Sequence, residues 1–127
     1  MSLIKGIHHT SMKCCSETEY EKVVDFYQNV LELLIARTWE NGVMFDTGNG
    51  LIEVFKNGEG KMDKGVIGHF ALATDDVDKC VEKVKNAGYE VFKGPMDIAI
   101  PSDPVFYARM AFCYGPLGEE IEFFQEK

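Results

Sequence analysis

Two stretches of the sequence occur twice in related form. IHHTSM at residues 7–12 matches IGHFAL at residues 67–72, and IEVF at residues 52–55 matches IEFF at residues 121–124. Matches that recur in the same order along a chain indicate a duplicated supersecondary unit. We therefore interpret the chain as two related halves, each with a histidine near its first strand and a glutamate in its last.

A helix follows the first strand in each half. Ser16 is placed to cap a helix predicted over residues 17–31, in which apolar residues recur at helical spacing. Asp75 or Asp76 is placed to cap the second helix, and Gly88 is placed to end it in the left-handed conformation. The two helices occupy equivalent places in the repeat.

Three strand-like segments follow each helix. We predict them over residues 35–39, 43–46, 51–55, 89–93, 107–114 and 119–125. Residues 56–65 are predicted to form an exposed linker, whereas the prolines in residues 94–104 predict a surface loop or lid. Each half is then a βαβββ module, about 1–58 and about 65–127, and the two predict one α+β domain over residues 1–127 with a curved mixed sheet.

The composition excludes several classes of partner. The formal net charge is −8 and the pI about 4.8, whereas nucleic acids and anionic membranes require a basic face. No apolar run approaches the ~20 residues of a membrane-spanning helix, and no signal-like region follows the amino terminus. The four cysteines lack CxxC spacing and are expected to be thiols in a reducing compartment. We therefore expect a cytoplasmic protein that binds a small molecule, with no nucleic-acid or membrane partner.

Histidine and glutamate recur in register, as His9 with Glu53 and His69 with Glu122. Because a duplicated fold brings equivalent strands together about a pseudo-twofold axis, we expect these four side chains to surround one point. Imidazole and carboxylate together suit Zn, Ni, Co, Mn or Fe(II). Each residue alone would more simply face solvent or make a hydrogen bond, but the coincidence of both pairs favours a metal site. His8 is the alternative to His9, and the alignment with His69 selects His9.

Four motifs carry a resemblance to a known family. They are IHHT at residues 7–10, LIEVF at residues 51–55, GHFAL at residues 68–72 and GPLGEEIEFF at residues 115–124. Over essentially the whole chain, the sequence resembles the glyoxalase and bleomycin-resistance group, the vicinal oxygen chelate superfamily. Members of this superfamily are built from paired βαβββ modules, so the resemblance implies the fold that the strand and helix pattern predicts.

Within that superfamily the set of His, Glu, His and Glu looks like that of glyoxalase I, lactoylglutathione lyase, which isomerises the hemithioacetal of methylglyoxal and a thiol. The resemblance implies that His9, Glu53, His69 and Glu122 bind a divalent ion, with Zn, Ni or Co expected. It implies that Glu122 removes the proton beside the carbonyl, that Glu53 shares this work, and that the metal stabilises the resulting enediolate. Members of this family often dimerise, so a homodimer is expected.

The expected thiol is glutathione or another low-molecular-weight thiol. The glutathione enzymes commonly have an arginine four residues after the first ligand, where this chain has Lys13; lysine keeps the charge but loses the bidentate fork. Asn57 agrees with a glutathione-contacting asparagine of that family, although it also reads as a turn residue. Arg109 offers a cation to an anionic substrate or is an exposed strand charge.

Two alternatives remain at this point. The first is another metal-dependent enzyme of the superfamily, namely an acyl-thioester epimerase, a dioxygenase or a thiol transferase. The second is a metal-free protein that sequesters a planar ligand, as the bleomycin-resistance proteins do. Its groove would be lined by aromatic residues, which are otherwise read as core and strand packing: Trp39, Phe45, Phe106, Tyr107 and Phe112.

Overall fold

The chain divides into two units, Met1–Asp63 and Lys64–Lys127. The structure is a computed structural model, and it describes residues 7–58, 68–102 and 104–127. In each unit a strand and a helix are followed by three strands, which is the predicted βαβββ order.

The first unit contains five elements and a short helical extension. They are β1 (His9–Lys13), α1 (Glu17–Asp25), a π-helical segment (Phe26–Val30), β2 (Leu34–Trp39), β3 (Gly42–Asp46) and β4 (Leu51–Phe55). The strands form one sheet in the order β1-β4-β3-β2, in which β1 is parallel to β4 and the other neighbours are antiparallel.

The second unit repeats this topology. Its elements are β5 (Phe70–Ala73), α2 (Val77–Asn86), β6 (Val91–Ile100), β7 (Phe106–Tyr114) and β8 (Glu120–Glu126). The sheet order is β5-β8-β7-β6, with β5 parallel to β8 and the other neighbours antiparallel. The predicted duplication and the α+β class are thus confirmed, with one four-stranded mixed sheet in each unit.

Both helices begin at the predicted caps. The Ser16 hydroxyl accepts a hydrogen bond from the Glu19 backbone N–H, and of the two candidates in the second unit it is Asp76 whose side chain accepts from the Lys79 N–H. Gly88, at φ +91°, follows the last turn of α2 as predicted. The helical run from residue 17 ends close to the predicted boundary, but its last turn is π-helical.

Each helix packs on one face of its own sheet. In the first unit the rings of Tyr27 and Phe45 lie 5.6 Å apart, and both side chains are buried. In the second unit Val77, Val81 and Val84 are the buried residues of α2, which contacts β6, β7 and β8. We call this side of each sheet the helix face. The opposite side, which we call the histidine face, carries His9 and Glu53 in the first unit and His69 and Glu122 in the second.

The predicted loop over residues 94–104 is wrong for most of its length, because β6 continues to Ile100. Pro95 is tolerated there for two reasons. The strand lies at the edge of its sheet, and the pairing register shifts between Lys93 and Met96, so the missing N–H of Pro95 breaks no regular ladder.

The predicted linker over residues 56–65 is only partly described, and residues 59–65 lie outside the described ranges. At its start, Lys56 N–H donates to the Asn41 carbonyl and Gly58 N–H donates to the Cys14 carbonyl. Neither of the two described helices has the length and apolar composition that crossing a bilayer requires.

Gly42 provides a test of the packing on the histidine face of the first unit. A Cβ at this position would lie 2.6 Å from Trp39 Cζ2 and 2.7 Å from the Val54 carbonyl oxygen. We expect Gly42→Ala to lower the free energy of unfolding by about 1–3 kcal/mol, since overpacking displaces neighbouring groups. Gly68→Ala is the control, because no described atom lies within 4 Å of a Cβ there. Equal unfolding midpoints in urea for the two variants would contradict this packing.

Candidate metal centre

The first histidine and glutamate are brought together by two parallel strands. In the β1–β4 ladder, His9 pairs with Leu51 and Ser11 with Glu53, so the side chains of His9, Ser11 and Glu53 lie on one face of the sheet. The distance from His9 Nε2 to Glu53 Oε1 is 3.6 Å. The imidazole is 38% exposed, whereas the carboxylate side chain is only 12% exposed.

The second unit builds the same pair with its own parallel strands. His69 immediately precedes β5, and Glu122 lies in β8 opposite Ala71. His69 Nε2 is 3.2 Å from Glu122 Oε1, with side-chain exposures of 45% and 12%. The ring of Phe112 contacts His69 edge to face at a centroid distance of 5.0 Å. Each unit therefore contributes one imidazole and one largely buried carboxylate.

Alternation along the strands explains why these carboxylates leave the core. Ile52 and Val54 are buried on the helix face, so Glu53 between them must lie on the histidine face. Ile121 and Phe123 flank Glu122 in the same way. The simpler reading was that each glutamate faces solvent. It is correct that both side chains point away from the helix-side core, but both carboxylates are mostly shielded from water.

Within each pair, the distance between the two donor atoms suits two ligands of a metal ion. Two donors at about 2.1 Å from an ion, at an angle between 90° and the tetrahedral value, lie about 3.0–3.4 Å apart. The His69–Glu122 distance of 3.2 Å falls in this range, and the His9–Glu53 distance of 3.6 Å lies just above it. Within the described residues no cluster of three or more candidate ligands occurs.

His8 contacts the first pair through His9 Nδ1, the ring nitrogen opposite the one that lies next to Glu53. His8 Nδ1 lies 2.9 Å from His9 Nδ1, and the rings meet edge to face. A proton on His9 Nδ1 in this contact would leave the lone pair of His9 Nε2 for an ion. The geometry pairs His9 rather than His8 with Glu53.

Lys13 and Asn57, the predicted thiol-binding residues, lie at the same end of the first sheet. Lys13 is the last residue of β1 and shares the exposed side of that strand with His9. Asn57 is exposed and follows β4, where the Cys14 N–H donates to the Phe55 carbonyl and the Gly58 N–H to the Cys14 carbonyl. These hydrogen bonds hold the segment with Asn57 beside the end of β1.

A comparison with models of known protein families identifies the family of this chain. The model of the Glyoxalase/Bleomycin resistance protein/Dioxygenase superfamily matches residues 6–123. The chain belongs to this superfamily. It is 31% identical to two proteins of Neisseria meningitidis, from serogroups A and B, that carry the name lactoylglutathione lyase; each alignment covers 84% of this chain and 83% of the relative.

The same fold occurs in solved structures. A lactoylglutathione lyase from Agrobacterium tumefaciens is 18% identical, with a TM-score of 0.67 over 96% of this chain and 94% of the other. An antibiotic binding protein from a Streptomyces species is 20% identical, with a TM-score of 0.72 over the full length of both chains. At these identities the likeness concerns the fold alone, and the two names show that this fold occurs both in a lyase and in a binding protein.

Arg109 does not lie with the histidine pairs of this superfamily member. Its partner across the ladder is Gln125, which places it on the helix face. Arg109 Nε and Nη2 donate to the two carboxylate oxygens of Asp78 at 2.8 Å each, and Nη1 donates to Asp97 at 3.2 Å. These hydrogen bonds raise the pKa of the guanidinium still further above its ordinary value. Of its two readings, the structure supports that of a strand charge, because Arg109 is paired with two aspartates on the helix face.

The five aromatic residues predicted to line a groove do not share one face. Phe45 is fully buried against Tyr27, and Tyr107 lies on the helix face and is 59% exposed. Trp39, Phe106 and Phe112 belong to the histidine faces of their own sheets. The aromatic lining suggested for a ligand-sequestering member of the superfamily is thus present only in part.

Two cations on the histidine faces were missed by the sequence analysis. Arg37 follows a register shift in β2, and Lys93 follows one in β6. Simple alternation assigns the wrong face after such an irregularity. The repeat between the two halves would have identified them, because IAR at residues 35–37 and VFK at residues 91–93 occupy equivalent places in it.

The Arg109 network predicts a pH effect on stability. Hydrogen bonding to Lys127 and Arg109 lowers the pKa of Asp97, and hydrogen bonding to Arg109 lowers that of Asp78. A carboxylate whose pKa is lowered in the folded protein stabilises the fold at pH values above its ordinary pKa. This contribution is lost as the pH falls below about 4. We expect Arg109→Gln to weaken the decline in stability below pH 4, measured by urea unfolding. Lys79→Gln, on the exposed side of α2, is the control, and identical acid profiles for wild type and Arg109→Gln would disprove the effect.

Proposed function

We propose that this chain is a metal-dependent lyase of the glyoxalase I type that isomerises the hemithioacetal of a 2-oxoaldehyde and a thiol. The observation that carries the proposal is the repeated pair of an imidazole and a largely buried carboxylate, once in each unit. The relatives named lactoylglutathione lyase, at 31% identity, support the same reaction.

His9, Glu53, His69 and Glu122 are the proposed ligands of one divalent ion, with Zn, Ni or Co as the expected metals. A buried carboxylate requires a compensating charge, and each of these glutamates faces a histidine that is charged only when it is protonated. The donor set of nitrogen and oxygen suits a borderline divalent ion. A bound ion would supply positive charge next to the oxygens on which negative charge develops during the reaction.

Glu122 is the proposed base. Its carboxylate takes the proton from the carbon beside the carbonyl and returns it to the neighbouring carbon, so the reaction needs no oxidant or reductant. Glu53 is placed equivalently and shares this work. His69 and the ring of Phe112 cover one side of Glu122, which restricts the access of water to the transferred proton.

Glutathione is the proposed thiol, with Lys13 and Asn57 as contacts. Their position at one end of the first sheet, on either side of the Gly58–Cys14 hydrogen bond, supports a shared role. A homodimer is also part of the proposal and rests on the resemblance to the glyoxalase enzymes. A cytoplasmic location is supported by the four cysteines, each of which is a thiol in the structure.

Metal analysis tests the proposed ligands. We expect about one divalent ion per chain in the native protein, measured by mass spectrometry, because both pairs share one ion. His69→Ala should lower the metal content and the melting temperature together, since an ion that binds only the folded state stabilises it. Glu82→Gln, on the exposed side of α2, is the control. Two ions per chain would mean that each pair binds its own, and no binding of added Zn, Ni or Co would favour a ligand-sequestering protein.

An isomerase assay with methylglyoxal and glutathione tests the base. Glu122→Gln should lower kcat by about a hundredfold or more, because general-base catalysis contributes on that scale. Far-ultraviolet circular dichroism checks that the variant folds, and Glu82→Gln should retain wild-type activity. A fully active Glu122→Gln enzyme would remove this residue from the role of base. Bound metal without isomerase activity in the wild type would favour an epimerase or another superfamily reaction.

A further inference from the structure

Each proposed ligand histidine is met by a second ring that stands nearly perpendicular to it. In the second unit, the rings of His69 and Phe112 have centroids 5.0 Å apart and an interplanar angle of 83°. In the first unit, the rings of His9 and His8 have centroids 5.2 Å apart and an angle of 85°. Aromatic rings prefer this arrangement to a face-to-face sandwich, because the positive edge of one ring meets the negative face of the other. The two units thus hold their histidines in contacts of nearly equal geometry.

In the second unit the perpendicular ring comes from a strand that is not adjacent to the histidine. Phe112 in β7 pairs with Glu122 in β8, and β8 lies between β7 and β5, which His69 directly precedes. The imidazole of His69 therefore contacts a ring from two strands away while its Nε2 lies 3.2 Å from the Glu122 carboxylate. In the first unit the residue that pairs with the glutamate in the same way is Met44, which has no ring.

In the first unit the perpendicular ring comes from the residue before the histidine. The Nδ1 atoms of His8 and His9 lie 2.9 Å apart, and His9 Nε2 lies 3.6 Å from the Glu53 carboxylate. Both ring nitrogens of His9 thus have polar neighbours, and turning the ring over would bring carbon atoms to these places. In the second unit the residue before the histidine is Gly68, which has no side chain. Each unit therefore supplies its perpendicular ring from the position at which the other unit has none.

The Phe112 ring is itself held in place by other rings. The ring of Phe92 in β6 lies 5.5 Å from that of Phe112, and it stacks at 4.2 Å on the ring of Tyr114 in β7. A ring that is restrained from two strands can restrain the imidazole that it contacts. Such a restraint matters at His69, because its side chain is partly exposed and an exposed imidazole can turn about both of its side-chain dihedral angles.

We infer that Phe112 and His8 are positioning residues, which hold the imidazoles of His69 and His9 with Nε2 beside the glutamate of the same unit, in place to bind a metal ion. The ion in this inference rests on the proposed function, but the restraint on the two imidazoles does not. A ligand must lie within about 0.5 Å and 10–20° of the productive geometry, and a side chain that is already held there loses less conformational entropy on binding. Loss of either ring should therefore weaken metal binding without removing a ligand.

Nuclear magnetic resonance of the metal-free protein tests the restraint by itself. With carbon-13 at the histidine Cε1 positions, relaxation measurements should show that the order of the His69 ring falls in Phe112→Met and that the order of the His9 ring falls in His8→Ala. Phe106→Met is the matched control, because Phe106 lies on the same face of β7 but stacks on a ring of β8. It should leave both imidazoles as ordered as in the wild type. Imidazoles that keep their order in Phe112→Met and His8→Ala would overturn the inference.

Zinc binding tests the consequence for the proposed ligands. In competition with a chromogenic chelator, the Kd for zinc should rise about tenfold in Phe112→Met and in His8→Ala, the scale on which groups that orient ligand histidines contribute. Phe112→Tyr keeps the ring and should restore wild-type affinity, whereas His8→Phe keeps the ring without the nitrogen and should restore part of it. Phe106→Met should bind zinc as the wild type does.

The outcomes separate this inference from the proposed function. Unchanged zinc affinity in Phe112→Met and His8→Ala would contradict positioning for a metal, and an equal loss in Phe106→Met would assign the effect to packing in general. A wild type that binds no zinc, but whose imidazoles still lose order in the two variants, would overturn the proposed metal site and support the restraint by the two rings.

Discussion

The arrangement of each unit depends on a carboxylate held against an imidazole across a pair of parallel strands. Glu53 and Glu122 lie in strands whose neighbouring residues are buried under a helix, so the alternation of side chains turns each carboxylate to the other side of the sheet. A shift of one residue in the pairing of β4 or β8 would move the charge into the helix-side core, where burial without a partner is costly. The pair therefore acts together with the burial of Ile52, Val54, Ile121 and Phe123 in fixing the register of both sheets.

Much of the fold follows from local signals. The caps at Ser16 and Asp76, the glycine that ends α2 and the alternating strands act over a few residues, and these elements lie close to their predicted bounds. The longest error concerned residues 94–100. There the prolines predicted a loop, and only the position of β6 at the edge of the sheet explains why a strand tolerates Pro95.

The residues of the candidate site could be predicted where side chains alternate regularly along a strand. They could not be predicted where a β-bulge interrupts this alternation. His9, Glu53, His69 and Glu122 follow from the repeat, and the structure pairs them within each unit. Arg37 and Lys93 follow bulges, which a period of two cannot represent. Arg109 stands in a regular strand, but its commitment to Asp78 and Asp97 depends on contacts between residues far apart in sequence.

The division of each sheet into a helix face and a histidine face separates the residues packed under the helix from the candidate ligands. The buried residues under α2 are apolar, whereas the ligand candidates lie on the other side of the same strands. Exposed positions on the histidine face can therefore be substituted at less cost to folding than the residues packed under the helix. This independence offers a physical reason why one architecture is shared by proteins named as lactoylglutathione lyase and by an antibiotic binding protein.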